Sequence, residues 1–335
     1  MSPRLSRRAF SLGTVVAAGT AMGSGSIASA QPKLPRDNAA GVGDRVRNAY
    51  EQQSANAGGV WNSYISVADA DGGALAVVEE NADTLVEAYS VNKIAVATAV
   101  LDKVDRGLLT LDQPVDVTAD IVIPDGDGIF RLDGAYPSSV TIGHAMALLL
   151  TVSDDTAVRL CGLVCPALEL NEILVAKGFP NTQVVPVTNP NRFFLGQTTP
   201  RETHDLLAAL VNGTLLAAAS TDYLLTILRS PVAFTDGIRR TMSSDERSRV
   251  ATKAGWLDDG RNEAGVMFDP AGKPVLIYSM FAAGMADAGN FGATHPGVQA
   301  RSVMGRAWMD AISGVSGRGS VRSAPAFRYR PSNGD

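Results

Sequence analysis

The chain has 335 residues, a formal net charge of −5 and a pI near 5.3. That length suits one large domain or two, and the acidic balance argues against a nucleic-acid partner, because surfaces that bind nucleic acids are basic. Two cysteines, Cys161 and Cys165, are too few for a disulfide scaffold or a closed zinc site. Their spacing within an apolar helical run favours buried thiols over a bridge between them.

Residues 1–30 predict a cleavable export signal. They begin with a basic segment, continue with a mildly apolar run and end in Ala28-Ser29-Ala30. The pair Arg7-Arg8 is typical of a twin-arginine signal, which carries folded proteins across the membrane. The alternative, a disordered basic tail, would not need the Ala-Ser-Ala site. No later apolar run is long enough to span a membrane, so we expect an exported protein, periplasmic or extracellular, whose mature form has no membrane span.

A linker, a helix and a hairpin come next. Residues 31–42 have the composition of a linker, and residues 43–54 have the pattern of a first helix. Two apolar runs, 60–68 and 74–79, are divided by Asp71-Gly72-Gly73, which is typical of a β-hairpin.

The middle of the chain has fewer clear signals. Residues 108–137 are rich in Gly, Asp and Pro and show no periodicity, whereas residues 142–150 and 156–164 are apolar helical runs. Residues 180–200 have the character of a loop, and Thr198-Thr199-Pro200 marks the start of another helix.

The C-terminal part predicts an antiparallel meander and a closing helix. Strand-like runs occupy residues 249–256, 263–268 and 275–282, and the helix covers residues 297–312. Residues 314–335 have the composition of a disordered tail. The order of elements predicts an α+β fold whose antiparallel sheet takes strands from both ends of the chain.

Ser90 and Lys93 stand at the start of a run of good helix formers that predicts a helix from Ser90. Lys93 shares a helical face with Ala97, Val100 and Val104, where an ammonium group is costly to bury unless something there needs it. Ser90 is its neighbour one turn earlier, and a hydroxyl beside an amine at a helix N-terminus can become a nucleophile. The alternative is a serine N-cap followed by a lysine that reaches solvent.

Two further motifs follow in order along the chain. Ser153-Asp154-Asp155 lies between two apolar helices, and Lys253-Ala254-Gly255 lies at the end of a strand. Ser153 could simply cap its helix, and Lys253 could be an ordinary edge-strand lysine. Two of only six lysines nevertheless fall in the Ser90 motif and the Lys253 motif.

The three motifs together resemble the S-x-x-K, S-D-N and K-T-G signatures of the serine β-lactamase and penicillin-binding protein superfamily, closest to the class A β-lactamases. The resemblance covers residues 43–313 and includes Thr198-Thr199-Pro200 and Asn262-Glu263-Ala264. It implies a catalytic domain over 43–313, built as an antiparallel sheet flanked by helices, with an inserted all-helical subdomain at about 108–230.

The resemblance also implies roles for individual residues. Ser90 would be the acylated nucleophile, and Lys93 would take or relay its proton. Ser153 would pass a proton to the leaving nitrogen, while Lys253 would hold Ser153 and a substrate carboxylate. The backbone N–H groups of Ser90 and Trp256 would form the oxyanion hole.

Four residues are implied to contact substrate, namely Asp155, Ala254, Gly255 and Trp256, and two of them depart from the family pattern. Asp155 replaces an asparagine that donates to the substrate amide, and an ionised carboxylate cannot donate. Ala254 replaces a hydroxyl residue that helps to bind the substrate carboxylate. A third departure concerns the loop before Thr198: class A enzymes carry a glutamate there for deacylation, but this chain has no Asp or Glu between Ile173 and Arg201.

Two functions are therefore expected from the sequence. The first is a serine hydrolase that forms an acyl-enzyme at Ser90 with β-lactams or related amides and esters, and deacylates slowly. The second is a penicillin-binding or DD-peptidase-like protein, or a non-catalytic binding protein, that captures a β-lactam or cell-wall peptide. We expect a monomer with no cofactor. We also expect no metal, because His144, His204 and His295 lack metal-ligand spacing and fit structural roles.

The export route gives a first prediction. Replacing Arg7 and Arg8 together by Lys should leave the precursor in the cytoplasm, because the twin-arginine assignment rests on that pair. Cell fractionation with N-terminal sequencing measures the result. A mature form outside the cytoplasm that starts at Gln31 in the double variant would contradict this route.

Overall fold

The computed structural model describes residues 38–69 and 73–313. The predicted export signal, the linker up to residue 37, the hairpin tip at 70–72 and the C-terminal tail from 314 lie outside the described residues. In the described part, the helices are α1 (Asn38–Ala57), α2 (Lys93–Asp105), α3 (Phe130–Asp133), α4 (Ile142–Thr151), α5 (Asp155–Val164), α6 (Ala167–Ala176), α7 (Pro200–Val211), α8 (Ala218–Leu228), α9 (Ser244–Ser248) and α10 (Pro296–Ile312). The strands are β1 (Val60–Ala68), β2 (Ala74–Glu80), β3 (Val86–Glu87), β4 (Pro114–Val117), β5 (Ser138–Thr141), β6 (Gln183–Pro186), β7 (Phe193–Thr198), β8 (Val250–Leu257), β9 (Gly260–Phe268) and β10 (Pro274–Ala283).

The main sheet has five antiparallel strands in the order β2-β1-β10-β9-β8. Strands from the two ends of the chain meet where β1 pairs with β10, as the sequence predicts. Successive side chains of a strand point to opposite faces. Val266 and Ile277 accordingly belong to the core on one face, while Met267 and Tyr278 belong to the core on the other. The predicted α+β class is confirmed.

Helices cover both faces of the sheet. On one face α1 and α10 pack together, and Trp308 Nε1 donates to the Val46 carbonyl at 3.1 Å. The core on the other face includes α2 and the helices from α4 to α8. Every residue of α2 from Lys93 to Leu101 is buried, so this helix is surrounded by protein rather than amphipathic. No helix in the described ranges is long and apolar enough to cross a bilayer.

Several predicted boundaries are wrong. Helix α1 starts at Asn38, inside the predicted linker, and α2 starts at Lys93, because a 3₁₀ turn over Tyr89–Asn92 precedes it. The segment from 108 to 230 is mainly helical, but it also holds strands β4 to β7. Strands β6 and β7 occupy much of the expected loop at 180–200, where nearby prolines hide the strand pattern.

Candidate active site

Ser90 lies in the 3₁₀ turn that immediately precedes α2. The turn begins at Tyr89, whose φ of 49° is in the left-handed region that non-glycine residues seldom adopt. Contacts with β7 hold the turn in place, since Asn92 Nδ2 donates to the carbonyl of Leu195 at 2.7 Å and to that of Gln197 at 3.0 Å. The Ser90 hydroxyl is half-buried and makes no hydrogen bond within the described residues.

Strand β8 passes directly behind this turn at Gly255. A Cβ atom at Gly255 would lie 2.7 Å from the backbone nitrogen of Ser90 and 2.8 Å from that of Val91. No side chain fits at such distances, so the close approach requires glycine. Asn262 on the neighbouring strand adds a bond from its Nδ2 to the Glu87 carbonyl at 2.9 Å. Gly255, which the resemblance implies as a substrate contact, thus lies against the backbone of the Ser90 turn.

The ammonium group of Lys93 is fully buried and has three oxygen partners. Its Nζ donates to the Ser153 carbonyl at 2.5 Å, to Ser153 Oγ at 3.0 Å and to Asp155 Oδ1 at 2.7 Å. These three acceptors match the three donors of an ammonium group. They compensate for the cost of removing the charge from water.

Ser153 joins the two lysines of the site. Its φ of 57° is in the left-handed region, and it directly precedes Asp154, the N-cap of α5. Because Asp154 caps the helix, the Ser153 hydroxyl is left for other partners. Lys253 Nζ lies 3.0 Å from Ser153 Oγ, and Lys93 Nζ lies at the same distance on its other side.

A loop over residues 123–130 closes over the two aspartates that follow Ser153. Asp154 Oδ2 accepts from the backbone nitrogens of Ile129 and Phe130, and Gly128 approaches this carboxylate with a φ of 100°. The Asp155 N–H donates to the Asp127 carbonyl at 3.1 Å, and the Asp127 N–H donates to Asp155 Oδ2 at 2.9 Å. Asp155 therefore faces the site rather than bulk solvent, with one carboxylate oxygen on Lys93 and the other on the loop.

Burial lowers the pKa of both lysines. The pKa of Lys93 lies below its ordinary value because desolvation outweighs the opposing attraction of the Asp155 carboxylate. The pKa of Lys253 lies well below its ordinary value, first through burial and then through the nearby positive charge of Lys93. The pKa of the Asp127 carboxyl is instead raised, mainly by burial and secondly by repulsion from the Asp155 carboxylate.

A cleft of about 1010 Å³ opens beside the Ser90 turn. Ser90, Asp155 and Trp256 line it, whereas Ala254 is fully buried. Of the four predicted catalytic residues, Lys93, Ser153 and Lys253 are joined by hydrogen bonds, and Ser90 lines the cleft. An apolar wall made of Val185, Val187, Phe193, Phe194 and Leu195, all from the segment before Thr198, lines part of the cleft.

The cleft also contains charged residues that sequence reasoning missed, namely Glu87, Asp125, Asp127, Arg159 and Arg192. Asp125 and Asp127 come from a stretch without periodicity, and its Asp-Gly-Asp-Gly composition signals a turn and nothing more. Arg159 is one helical turn after Asp155, so its place on the same face of α5 could have been inferred. The position of Arg192 depends on long-range packing and had no local signal.

A second Ser-His-Asp set lies outside the cleft. Ser66 Oγ is 2.7 Å from His204 Nε2, and His204 Nδ1 is 2.9 Å from Asp205 Oδ1, which reproduces the order of bonds in a catalytic triad. Ser66 and His204 are both buried, however, between β1 and α7, and neither lines the cleft. Without access to substrate the arrangement links two elements of the fold, as the structural role predicted for His204 requires.

The chain belongs to the beta-lactamase enzyme family, because the sequence model of that family matches residues 44–312. A search of curated proteins found no match. The matched range agrees closely with the extent of the resemblance predicted from the three motifs. The family identifies the chain as a β-lactamase-like serine hydrolase relative.

Solved structures share the fold at low sequence identity. A beta-lactamase from Sphaerobacter thermophilus is 22% identical with a TM-score of 0.65, covering 80% of this chain and 97% of its own. One from Chitinophaga pinensis is 21% identical with a TM-score of 0.69, covering 80% and 99%. A mutant of PBP-A, solved as an acyl-enzyme complex with penicillin G, is 20% identical with a TM-score of 0.62, covering 83% and 98%.

The ion pair between Lys93 and Asp155 gives a prediction about pH. Because the Asp155 carboxylate raises the pKa of Lys93, Asp155→Asn should lower that pKa further and leave the amine neutral at lower pH. If Lys93 is the base for acylation, the rising limb of the acylation pH profile should move to lower pH. Stopped-flow acylation by a chromogenic cephalosporin measures it.

A matched control for this prediction is Asp116→Asn, which removes a carboxylate from exposed strand β4. It should leave the profile in place. An unchanged profile and rate in Asp155→Asn would contradict the assignment of Lys93 as the base.

Proposed function

We propose that this protein is an exported serine hydrolase of class A type, which forms an acyl-enzyme at Ser90 with β-lactams or related amides and esters. The observation that carries the proposal is the Ser153 hydroxyl, which lies 3.0 Å from both Lys93 Nζ and Lys253 Nζ beside the cleft that Ser90 lines. Such an arrangement can move a proton between the nucleophile and a leaving nitrogen. We take residues 43–313 as the catalytic domain and residues 1–30 as its export signal.

Acylation would proceed in two steps. Ser90 Oγ attacks the carbonyl carbon while a neutral Lys93 amine takes the hydroxyl proton, and the backbone N–H groups of Ser90 and Trp256 would receive the developing oxyanion. The C–N bond then breaks, and the nitrogen receives a proton from Ser153 Oγ. Ser153 regains a proton from Lys93. Lys253, kept close to Ser153, orients that hydroxyl and adds positive charge for a substrate carboxylate.

Deacylation lacks its usual helper in this proposal. The wall formed by β6 and β7 offers valine, phenylalanine and leucine side chains to the cleft, and none of these can take a proton from water. The carboxylates that line the cleft, Glu87, Asp125, Asp127 and Asp155, come from other segments of the chain, and Asp155 already accepts from Lys93 and from the backbone of Asp127. We therefore propose that hydrolysis of the acyl-enzyme is slow compared with its formation.

A second candidate is a penicillin-binding or DD-peptidase-like protein that retains its acyl group. The ion pair between Lys93 and Asp155 favours it, because a paired ammonium is a poorer base than a neutral amine. PBP-A, a structural relative, has been captured as an acyl-enzyme with penicillin G. Intact-protein mass spectrometry during exposure to penicillin separates the candidates: a transient adduct supports the hydrolase, a lasting adduct the penicillin-binding protein, and no adduct a binding protein without acylation.

The assignment of the nucleophile can be tested directly. Ser90→Ala should abolish covalent labelling by a fluorescent penicillin, because the acyl acceptor is lost, while the thermal unfolding midpoint stays close to that of the wild type. Lys93→Ala should slow acylation by about 10²–10⁴, the usual effect of losing a general base.

Ser66→Ala is the matched control, since it removes the serine that contacts His204. It should leave labelling intact. Labelling that persists in Ser90→Ala and disappears in Ser66→Ala would transfer the activity to the second set.

The apolar wall gives a prediction about turnover. A chromogenic cephalosporin should give a burst of one equivalent followed by slow release, because Lys93 and Ser153 can move protons during acylation, whereas the segment before Thr198 has no carboxylate to activate the deacylating water. A glutamate in place of Val187 should speed the slow phase more than the burst, whereas glutamine at the same position should not. Steady turnover at many per second, without burst or adduct, would contradict the proposal.

A further inference from the structure

Two arginines line the cleft. Arg159 projects from α5, and Arg192 comes from the segment just before β7. Both are half-buried. Each is anchored by one guanidinium nitrogen on the same short stretch of backbone. Arg159 Nη1 donates to the Ile121 carbonyl at 3.1 Å, and Arg192 Nη2 donates to the Asp120 carbonyl at 3.3 Å.

Neither guanidinium forms an ion pair within the described residues. The carboxylates that influence Arg159 electrostatically belong to Asp120 and Asp155, and both remain beyond ion-pair distance of it. Burial and the positive charge of Arg192 lower the pKa of Arg159, as expected for two cations held close together. Each side chain keeps donors that its backbone contact does not use.

Apolar neighbours strengthen the effect of these charges. Ile123, Val158 and Phe193 line the same part of the cleft, and charge-assisted hydrogen bonds are stronger where water is partly excluded. Two guanidinium forks in such a place, with no carboxylate of the described residues within ion-pair distance, can bind an anion, and their planar geometry suits a carboxylate.

The position of the pair indicates which part of a substrate would meet it. Arg159 follows Asp155 by four residues of α5, about 6 Å along the helix axis. Asp155 contacts Lys93 and stands where the resemblance implies a contact with the substrate's acyl amide. The arginines therefore lie beyond Asp155, on the acyl side, whereas Lys253 on β8 faces the leaving group.

We propose that Arg159 and Arg192 form a carboxylate subsite, so that the preferred substrates are β-lactams, amides or esters whose acyl portion ends in a carboxylate. This inference rests on the proposed function for the identity of the acyl side. A peptide-derived acyl group with an acidic side chain has the required chemistry.

Two cephalosporins provide a matched pair of probes: 7-aminocephalosporanic acid acylated with a glutaryl group or with a pentanoyl group. They have equal chain length and differ only in the terminal carboxylate. We expect the glutaryl compound to acylate Ser90 roughly tenfold or more faster at low concentration, because hydrogen bonds to a charged group contribute that much. In the double variant Arg159→Gln/Arg192→Gln the preference should vanish, while the rate with the pentanoyl compound stays the same.

Calorimetric binding of both compounds to Ser90→Ala protein separates this inference from the proposed function. Tighter binding of the glutaryl compound, lost in the double variant, supports the subsite even if wild-type protein never acylates. Equal binding of the two compounds overturns the subsite, even if acylation at Ser90 proceeds as proposed.

Two further variants control for folding and for net charge. Arg192→Gln alone loses a single backbone contact and should reduce the preference without lowering the unfolding midpoint. Arg240→Gln removes an exposed charge outside the cleft and should leave the preference unchanged. An equal loss for both compounds in Arg192→Gln, or an equal loss of preference in Arg240→Gln, would overturn the subsite.

Discussion

The ammonium group of Lys93 is the constraint on which the rest of the site depends. It sits in a helix that is buried from Lys93 to Leu101, where a charge without partners would be prohibitively costly. Three oxygens from one turn accept hydrogen bonds from this group, two from Ser153 and one from Asp155. The turn must therefore keep these oxygens close to the Lys93 ammonium group. The left-handed backbone of Ser153 and the bonds from the 123–130 loop to Asp154 hold it in this position.

The same contacts would affect the two stages of the proposed reaction differently. Ser153 Oγ lies 3.0 Å from both Lys93 Nζ and Lys253 Nζ, and we propose that these three groups move protons during acylation. In that mechanism Asp155 would oppose the first step, because its carboxylate favours the protonated form of Lys93. The apolar residues of the wall could not activate water for removal of the acyl group.

The sequence pattern predicted those parts of the structure that depend on residues close together in the chain. Alternation along β8 to β10 and the helical spacing of Ser90 and Lys93 need only neighbouring residues, and the family motifs supplied their relation to Ser153 and Lys253. The strands β6 and β7 were missed because nearby prolines hide the strand pattern, and β7 is also held by a residue far along the chain, Asn92, which donates to the carbonyl of Leu195. The need for glycine at position 255 likewise appears only once β8 lies against the Ser90 turn.

The two cysteines bear on the export that the sequence predicts. Cys161 and Cys165 are free and buried, as their spacing predicted, and burial raises the pKa of both thiols to about 12. Oxidants attack the thiolate, so the folded chain carries these sulfurs in an inert form. If the chain were exported unfolded, both thiols would be exposed in an oxidising compartment, where disulfide formation competes with folding. A route that exports only folded protein, as the Arg7-Arg8 pair predicts, would keep both thiols buried and protected from oxidation during export.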